Sequence, residues 1–183
     1  MKAGHEIWFI DQTSTHLWSK PSKVWRPAGI TYKLSLPPQR GHSITLMAAL
    51  SSKPRKAIYY IDETTCKVSV IKFLKKIFTN INGEGHVLVM DRHPAHMSRD
   101  VTEFLRSRGI IGHVMPPNSC CLNPVELIWS AFKNKWSTWL LQNEVSPAAA
   151  GTEALRLLRR VPTGKLLRGV YPYYNAALDG QLV

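Results

Sequence analysis

Three carboxylates stand where simple surface charge explains them poorly. Asp11 ends the apolar run Ile7-Trp8-Phe9-Ile10, and Asp91 ends the run His86–Met90. Glu126 falls two residues after Pro124, in the opening turn of an amphipathic helix. Acids at the ends of two strands can converge at one edge of a sheet, and a helix start can bring a third beside them. A carboxylate so placed either pairs with a side-chain cation or holds a cation from solution. Each has an ordinary alternative. Asn123-x-x-Glu126 has capping-box spacing, in which Glu at the third position bonds back to the cap and complements the helix dipole. Asp62 also follows a strand, so a strand-end aspartate is not by itself a site.

The background of these acids is strongly basic. The chain has 183 residues, with 24 Lys+Arg against 12 Asp+Glu, a formal net charge of +12. Residues 1–60 hold nine basic side chains and only Glu6 and Asp11 as acids. Such an excess attracts polyanions through long-range field and counterion release. With 44% hydrophobic residues the chain can bury a core, so disorder throughout is excluded. Three cysteines cannot all pair within one chain, which points to a reducing, intracellular setting. No apolar run approaches the roughly 18–20 residues of a membrane span, and no GxGxxG or GxxxxGK[ST] phosphate loop occurs.

The elements that must position the acids follow from periodicity. Ile7–Asp11, Ile30–Leu36, Ser43–Leu50 and Ala57–Ile61 read as short strands at hairpin-like spacings. Cys66–Ile81 turns to helical spacing, with Val70, Ile71, Leu74, Ile77, Phe78 and Ile81 on one stripe and Thr64 or Thr65 as N-cap. His86–Met90 reads as a strand covered on both faces. Ser98 caps a helix that stops at Gly109, and Ile110–Met115 is the next strand before Pro116-Pro117. Asn123-Pro124, a cap followed by proline at the first helical position, starts a long helix with Val125, Ile128, Trp129, Phe132, Trp136 and Leu140 inward. Ser146–Gly151 reads as a break before a short basic helix over about 152–160. The expected architecture is α/β: one mixed sheet flanked by helices. The expected division is 1–144 as the main domain and 145–183 as a basic helical extension packed on or following it.

Three blocks carry a resemblance. Val89-Met90-Asp91-Arg92-His93-Pro94-Ala95-His96, then Pro116-Pro117-Asn118-Ser119, then Leu122-Asn123-Pro124-Val125-Glu126-Leu127-Ile128-Trp129 resemble the DDE transposases of the Tc1/mariner and insertion-sequence 630 superfamily. Phe9-Ile10-Asp11-Gln12-Thr13-Ser14 resembles the first-aspartate strand of that group, and Trp25-Arg26-Pro27-Ala28-Gly29 the segment after it. The 34 residues between Asp91 and Glu126 match its spacing. Gln12, Arg92 and Ser119-Cys120-Cys121 depart from the commonest residues of the group, while all three acids are kept.

The resemblance implies an RNase H-like fold with a mixed five-stranded sheet, and a DDE endonuclease using two Mg²⁺ (or Mn²⁺) ions. Asp11, Asp91 and Glu126 are then both catalytic residues and metal ligands, with Asp11 bridging. Oxygen donors suit such hard cations, and a pair of ions can clamp the attacking and leaving oxygens of a phosphodiester displacement. The implied activity is strand cleavage and strand transfer in DNA transposition and integration. His96 is expected to steady Asp91, with Asn123 a second supporting group. Lys20, Lys23, Arg26, Lys33 and Arg40 are candidates for contacts to DNA phosphates, and Trp18 and Trp25 for base stacking or core. His93 and His96 without a Cys-x-x-Cys pair make a poor zinc motif.

Ten residues before Asp11 leave no room for the helix-turn-helix region of complete relatives. The expectation is therefore a catalytic half working with DNA, with a separate helix-turn-helix chain, and as a homodimer, away from membranes. It would act on DNA inside the cell, in the nucleus of a eukaryotic host and otherwise in the cytoplasm. The rival reading is a non-catalytic, domesticated DNA-binding module of the same fold.

Overall fold

In the computed structural model, residues 5–17, 28–29, 43–53, 57–79, 84–143 and 146–168 are described. The five strands are β1 (Glu6–His16), β2 (Ser43–Ser51), β3 (Ala57–Asp62), β4 (His86–Met90) and β5 (Ile111–Val114). They form one sheet in the order β3-β2-β1-β4-β5. β1 pairs antiparallel with β2 and parallel with β4. β2–β3 is antiparallel and β4–β5 parallel. This is the mixed five-stranded sheet of an RNase H-like fold. The expected strand Ile30–Leu36 lies outside the described residues.

Side-chain alternation along β1 divides the core in two. Phe9 and Leu17, with Leu46, Ala48 and Leu50 of β2, face one layer; Trp8 and Ile10, with Met47 and Ala49, face the other. The first layer is covered by α3 (Val125–Leu140) and α4 (Pro147–Arg159), the second by α1 (Lys67–Ile77) and α2 (Arg99–Ser107). A final short helix, α5, spans Thr163–Arg168. α3 buries Val125, Ile128, Trp129, Phe132 and Trp136, a stripe at helical spacing against the sheet. Asp11 takes its side from the same alternation: it shares the α3 face with Phe9, one pleat repeat away.

Helix ends explain both agreements and corrections. Ser98 Oγ accepts from Val101 N, and Gly109, at φ +66°, turns the chain out of α2. α1, by contrast, is capped by neither threonine. Its N-cap is Cys66, with no side-chain cap bond, and Thr64 contributes only its carbonyl, which accepts from Ser69 Oγ at 3.0 Å. The Ser146–Gly151 segment is not a break. Ser146 Oγ accepts from Ala149 N at 3.3 Å and Pro147 occupies the first turn, so α4 begins five residues earlier than expected. That is the same cap-plus-proline device as Asn123-Pro124. Ala150, Ala154, Leu157 and Leu158 of α4 enter the α3-side core, so this segment is part of the packed body.

The two acids of the basic first third have different fates. Glu6 is 4% exposed, accepts from Ser51 Oγ at 2.5 Å and pairs with Lys53 Nζ at 2.9 Å. It is an ion-pair partner fixing the start of β1. Asp11, at the other end of the apolar run, has no such partner among the described residues.

Candidate active site

Asp11 is 8% exposed, and its carboxylate is held by two N–H groups. Oδ1 accepts from Gln12 N at 2.8 Å and Oδ2 from the Trp129 indole Nε1 at 3.0 Å. Among the described residues no cation pairs with it. Burial pushes its pKa up from 3.8 to about 6. The negative charges of Glu126 and, less strongly, Asp91 push in the same direction, while the two hydrogen bonds oppose the rise. The three acids are therefore within electrostatic reach of one another.

Asp91 follows β4, which runs parallel beside β1, so both chains deliver an aspartate at the same end of adjacent strands. Its Oδ1 accepts from His93 N at 3.0 Å and lies 2.6 Å from His96 Nδ1. His96 is 2% exposed, whereas Asp91 is half-exposed, so the buried imidazole backs a carboxylate that faces outward. The His96 hydrogen bond is the main reason the Asp91 carboxyl is held below its ordinary range, with His93 N adding to it. The His93 imidazole is itself shifted down, first by burial and then by the His96 ring, which meets it edge-on at 5.7 Å.

Glu126 is exposed on the first turn of α3. The Asn123 N–H, which a capping box would give to Glu126, donates instead to Cys120 O at 2.9 Å, in the 3₁₀ turn Cys120–Leu122. Asn123 itself is buried and ties helix to strand. Its Oδ1 accepts from Val125 N at 3.1 Å, and its Nδ2 donates to Ile10 O at 3.1 Å, next to Asp11. One side chain thus caps α3 and sets the position of Glu126 against β1. Asn123→Ala leaves Ile10 O and Val125 N without these partners in a buried place. The expected cost is about 2–3 kcal/mol, read as a lower thermal midpoint.

Trp129 was legible only as a core residue in the α3 stripe. Its indole N–H on Asp11 makes it a positioning residue as well. The available signal was general: a buried tryptophan has a polar N–H that needs a partner. Trp129→Phe keeps the ring packing and removes that donor. Since this hydrogen bond lowers the Asp11 pKa, the rise of metal-dependent activity with pH is expected to move to higher pH. An unchanged pH profile excludes the positioning role.

The donor chemistry fits hard divalent cations: three carboxylates, one of them buried with no compensating cation among the described residues. The carboxylates do not form a closed metal cluster, since no group of three His, Cys, Asp or Glu is drawn that closely together among the described residues. Lys20, Lys23, Arg26, Lys33 and Arg40, along with Trp18 and Trp25, lie outside the described residues.

Comparison with known structures places the fold. The chain superposes on a pre-cleavage Mos1 transpososome with a TM-score of 0.68 and 14% identity, over 93% of this chain and 53% of that one. Against the catalytic core domain of HTLV-2 integrase in complex with magnesium, the TM-score is 0.51 with 19% identity, over 83% of both chains. A simian T-cell lymphotropic virus intasome gives 0.56 and 16%, over 83% of this chain and 47% of that one. The chain thus spans about half the length of the transpososome and intasome chains it matches. None of the curated proteins matches it in sequence. The profile of the DDE superfamily endonucleases, however, matches residues 6–144, from the first residue of β1 to just beyond α3. That span contains all three acids and most of the chain, and this protein belongs to the DDE superfamily endonucleases.

Proposed function

We propose that this chain is the catalytic domain of a DNA transposase of the Tc1/mariner and insertion-sequence 630 type, cutting and joining DNA phosphodiesters at Asp11, Asp91 and Glu126. The observation that carries the reading is Asp11: a buried carboxylate with no cationic partner among the described residues, flanked electrostatically by two more acids and aimed by Trp129. Burying such a group costs stability unless a cation arrives. Natural selection for stability alone has no use for it.

Asp11, Asp91 and Glu126 would hold two Mg²⁺ or Mn²⁺ ions. Bound there, the ions supply Lewis-acid stabilisation of the phosphate oxygens and a lowered pKa for the attacking water or hydroxyl. The chain's own residues do the positioning. His96 fixes the rotamer of Asp91, and its burial keeps that carboxylate turned outward to the ligand side. Asn123 fixes α3 on β1, and Trp129 fixes the second oxygen of Asp11. Hydrolysis of one phosphodiester would leave a 3′-OH and a 5′-phosphate; that 3′-OH would then attack a phosphorus of target DNA from the position water had occupied, expelling the 3′-oxygen of the target strand. The partner is DNA, acted on within the cell. Recognition of particular transposon ends is assigned by this reading to a helix-turn-helix region or chain other than these residues, and working as a homodimer is part of the same proposal. Within it, residues 1–144 form the catalytic domain and 145–183 a basic extension packed on or following it.

The test is nicking of supercoiled plasmid by the purified chain, in Mn²⁺, in Mg²⁺ and in EDTA. Open-circle product in either metal and none in EDTA is the expected result. A folded chain that neither responds to metal nor nicks is the non-catalytic module instead.

A further inference from the structure

A second site emerges at the β3 edge of the sheet, away from the three acids. Among the described strands β3 is the outermost on that side. Beside it lies an open cleft of about 390 Å³, bounded by the last turn of α1 on one side and the α4–α5 junction on the other. Its charged lining is Lys76 and Arg159, with Tyr59 and Thr163 as polar neighbours, and it contains no carboxylate. Among the described residues neither cation has an ion-pair partner. Acids on the adjoining elements are engaged elsewhere: Glu153 accepts from Arg156 Nε at 2.6 Å, and Asp62 from Glu63 N at 2.8 Å.

Lys76 is held in place. Its Nζ donates to Tyr59 O at 2.9 Å and sits 5.8 Å from the Tyr60 ring centroid. One of three ammonium donors is thereby used and two are left for a ligand. Because Tyr59 O points away from β2, its own N–H points the same way in an antiparallel ladder, towards the open edge. Arg159 adds a planar fork suited to two oxygens of one phosphate. The remaining wall is apolar, which suits the sugar carbons on either side of a phosphodiester. Through the sheet register, Tyr59 pairs with Ala48, and Ala48 with Asp11. Tyr59, on the wall of the cleft, thus lies on the same cross-strand row as Asp11, two strand spacings or about 10 Å from it.

We propose that this Lys76–Arg159 cleft is a second phosphate-binding site that takes a backbone phosphodiester of DNA. It rests on the reading above only for DNA being the polymer. The experiment is binding of a short labelled duplex to the whole chain in EDTA, over a range of KCl concentrations. Arg159→Ala is expected to reduce the slope of log K against log salt by about 1 and to weaken binding alike for unrelated sequences. Lys76→Gln does the same; because it also loosens Tyr59 O, the exposed Arg159, whose side chain makes no hydrogen bond among the described residues, is the deciding variant. Inorganic phosphate at matched ionic strength separates the free anion from the polymer. An unchanged slope in Arg159→Ala overturns the site, and if phosphate still raises the wild-type thermal midpoint, the cleft serves the free anion and not DNA. Binding in EDTA is independent of cutting: a wild type that binds but never nicks overturns only the catalytic reading.

Discussion

Replacing Asp11, Asp91 or Glu126 by alanine is expected to lower metal-dependent nicking on the order of 10³-fold or more in each case, a loss of about 4 kcal/mol or more of transition-state stabilisation. His96→Ala, which leaves Asp91 present but unsteadied, is expected to lose less, roughly 10–100-fold. The contrast is informative because the three acids differ so much in burial. Glu126 is exposed, so its loss leaves the fold intact, whereas Asp91→Ala also takes a partner from the buried His96 ring and from His93 N and lowers stability somewhat. Asp11→Ala removes the acceptor of the Trp129 indole but also removes a buried charge, two opposing effects on stability. Inactivity in all three with unchanged circular dichroism is therefore chemistry and not misfolding. If any one of them nicks at the wild-type rate, that residue is not a ligand.

Stability without metal is expected to fall as pH rises from about 4 to about 6. The folded chain holds the Asp11 proton up to about 6, whereas the unfolded chain releases it near 3.8. Across that window the native state binds more protons, so ionisation on raising the pH works against it. The full effect is about 3 kcal/mol at most, and for a chain this long it moves the thermal midpoint by roughly 5–10 °C. Asp91 acts in the opposite sense. Its carboxyl is held low, so its contribution is present above the ordinary carboxylate range and is lost only as the solution becomes more acidic than that. Mg²⁺ or Mn²⁺ is expected to restore the midpoint near neutral pH and to do little near pH 5, because the ligands must be ionised to bind. Melting curves in EDTA and in metal across this range decide it. Asp11→Asn should flatten the slope between about 4 and 6; a slope that survives the substitution places the titrating group elsewhere.

The elements themselves were legible because their signals are local. His86–Met90 shows as a continuous apolar run, α3 as a stripe at helical spacing, and α2 as a serine start and a glycine stop. The error at α4 is equally instructive. Ser146-Pro147 is the same start signal as Asn123-Pro124, but three alanines and a glycine have no amphipathic stripe to reinforce it. Packing of Ala150 and Ala154 against the core decides the helix there. The Thr64/Thr65 cap failed for a related reason: several short polar residues precede α1, and only the course of the chain selects Cys66.

The sequence by itself singled out Asp11, Asp91 and Glu126 as the candidate acids, and it determined the order of strands and helices around them and the basic character that suits a polyanionic partner. Those properties are written in residue type and short-range period, which survive without a fold. Tertiary structure alone decided what surrounds each acid. The Trp129 indole meets Asp11 across 118 positions, and Asn123 meets Ile10 across 113. It also gave Glu6 its lysine and Asp11, among the described residues, only N–H donors, though both begin as acids in the same basic stretch. No local pattern encodes such pairs, because they exist only once β1, β4 and α3 are packed together and burial has changed the cost of charge.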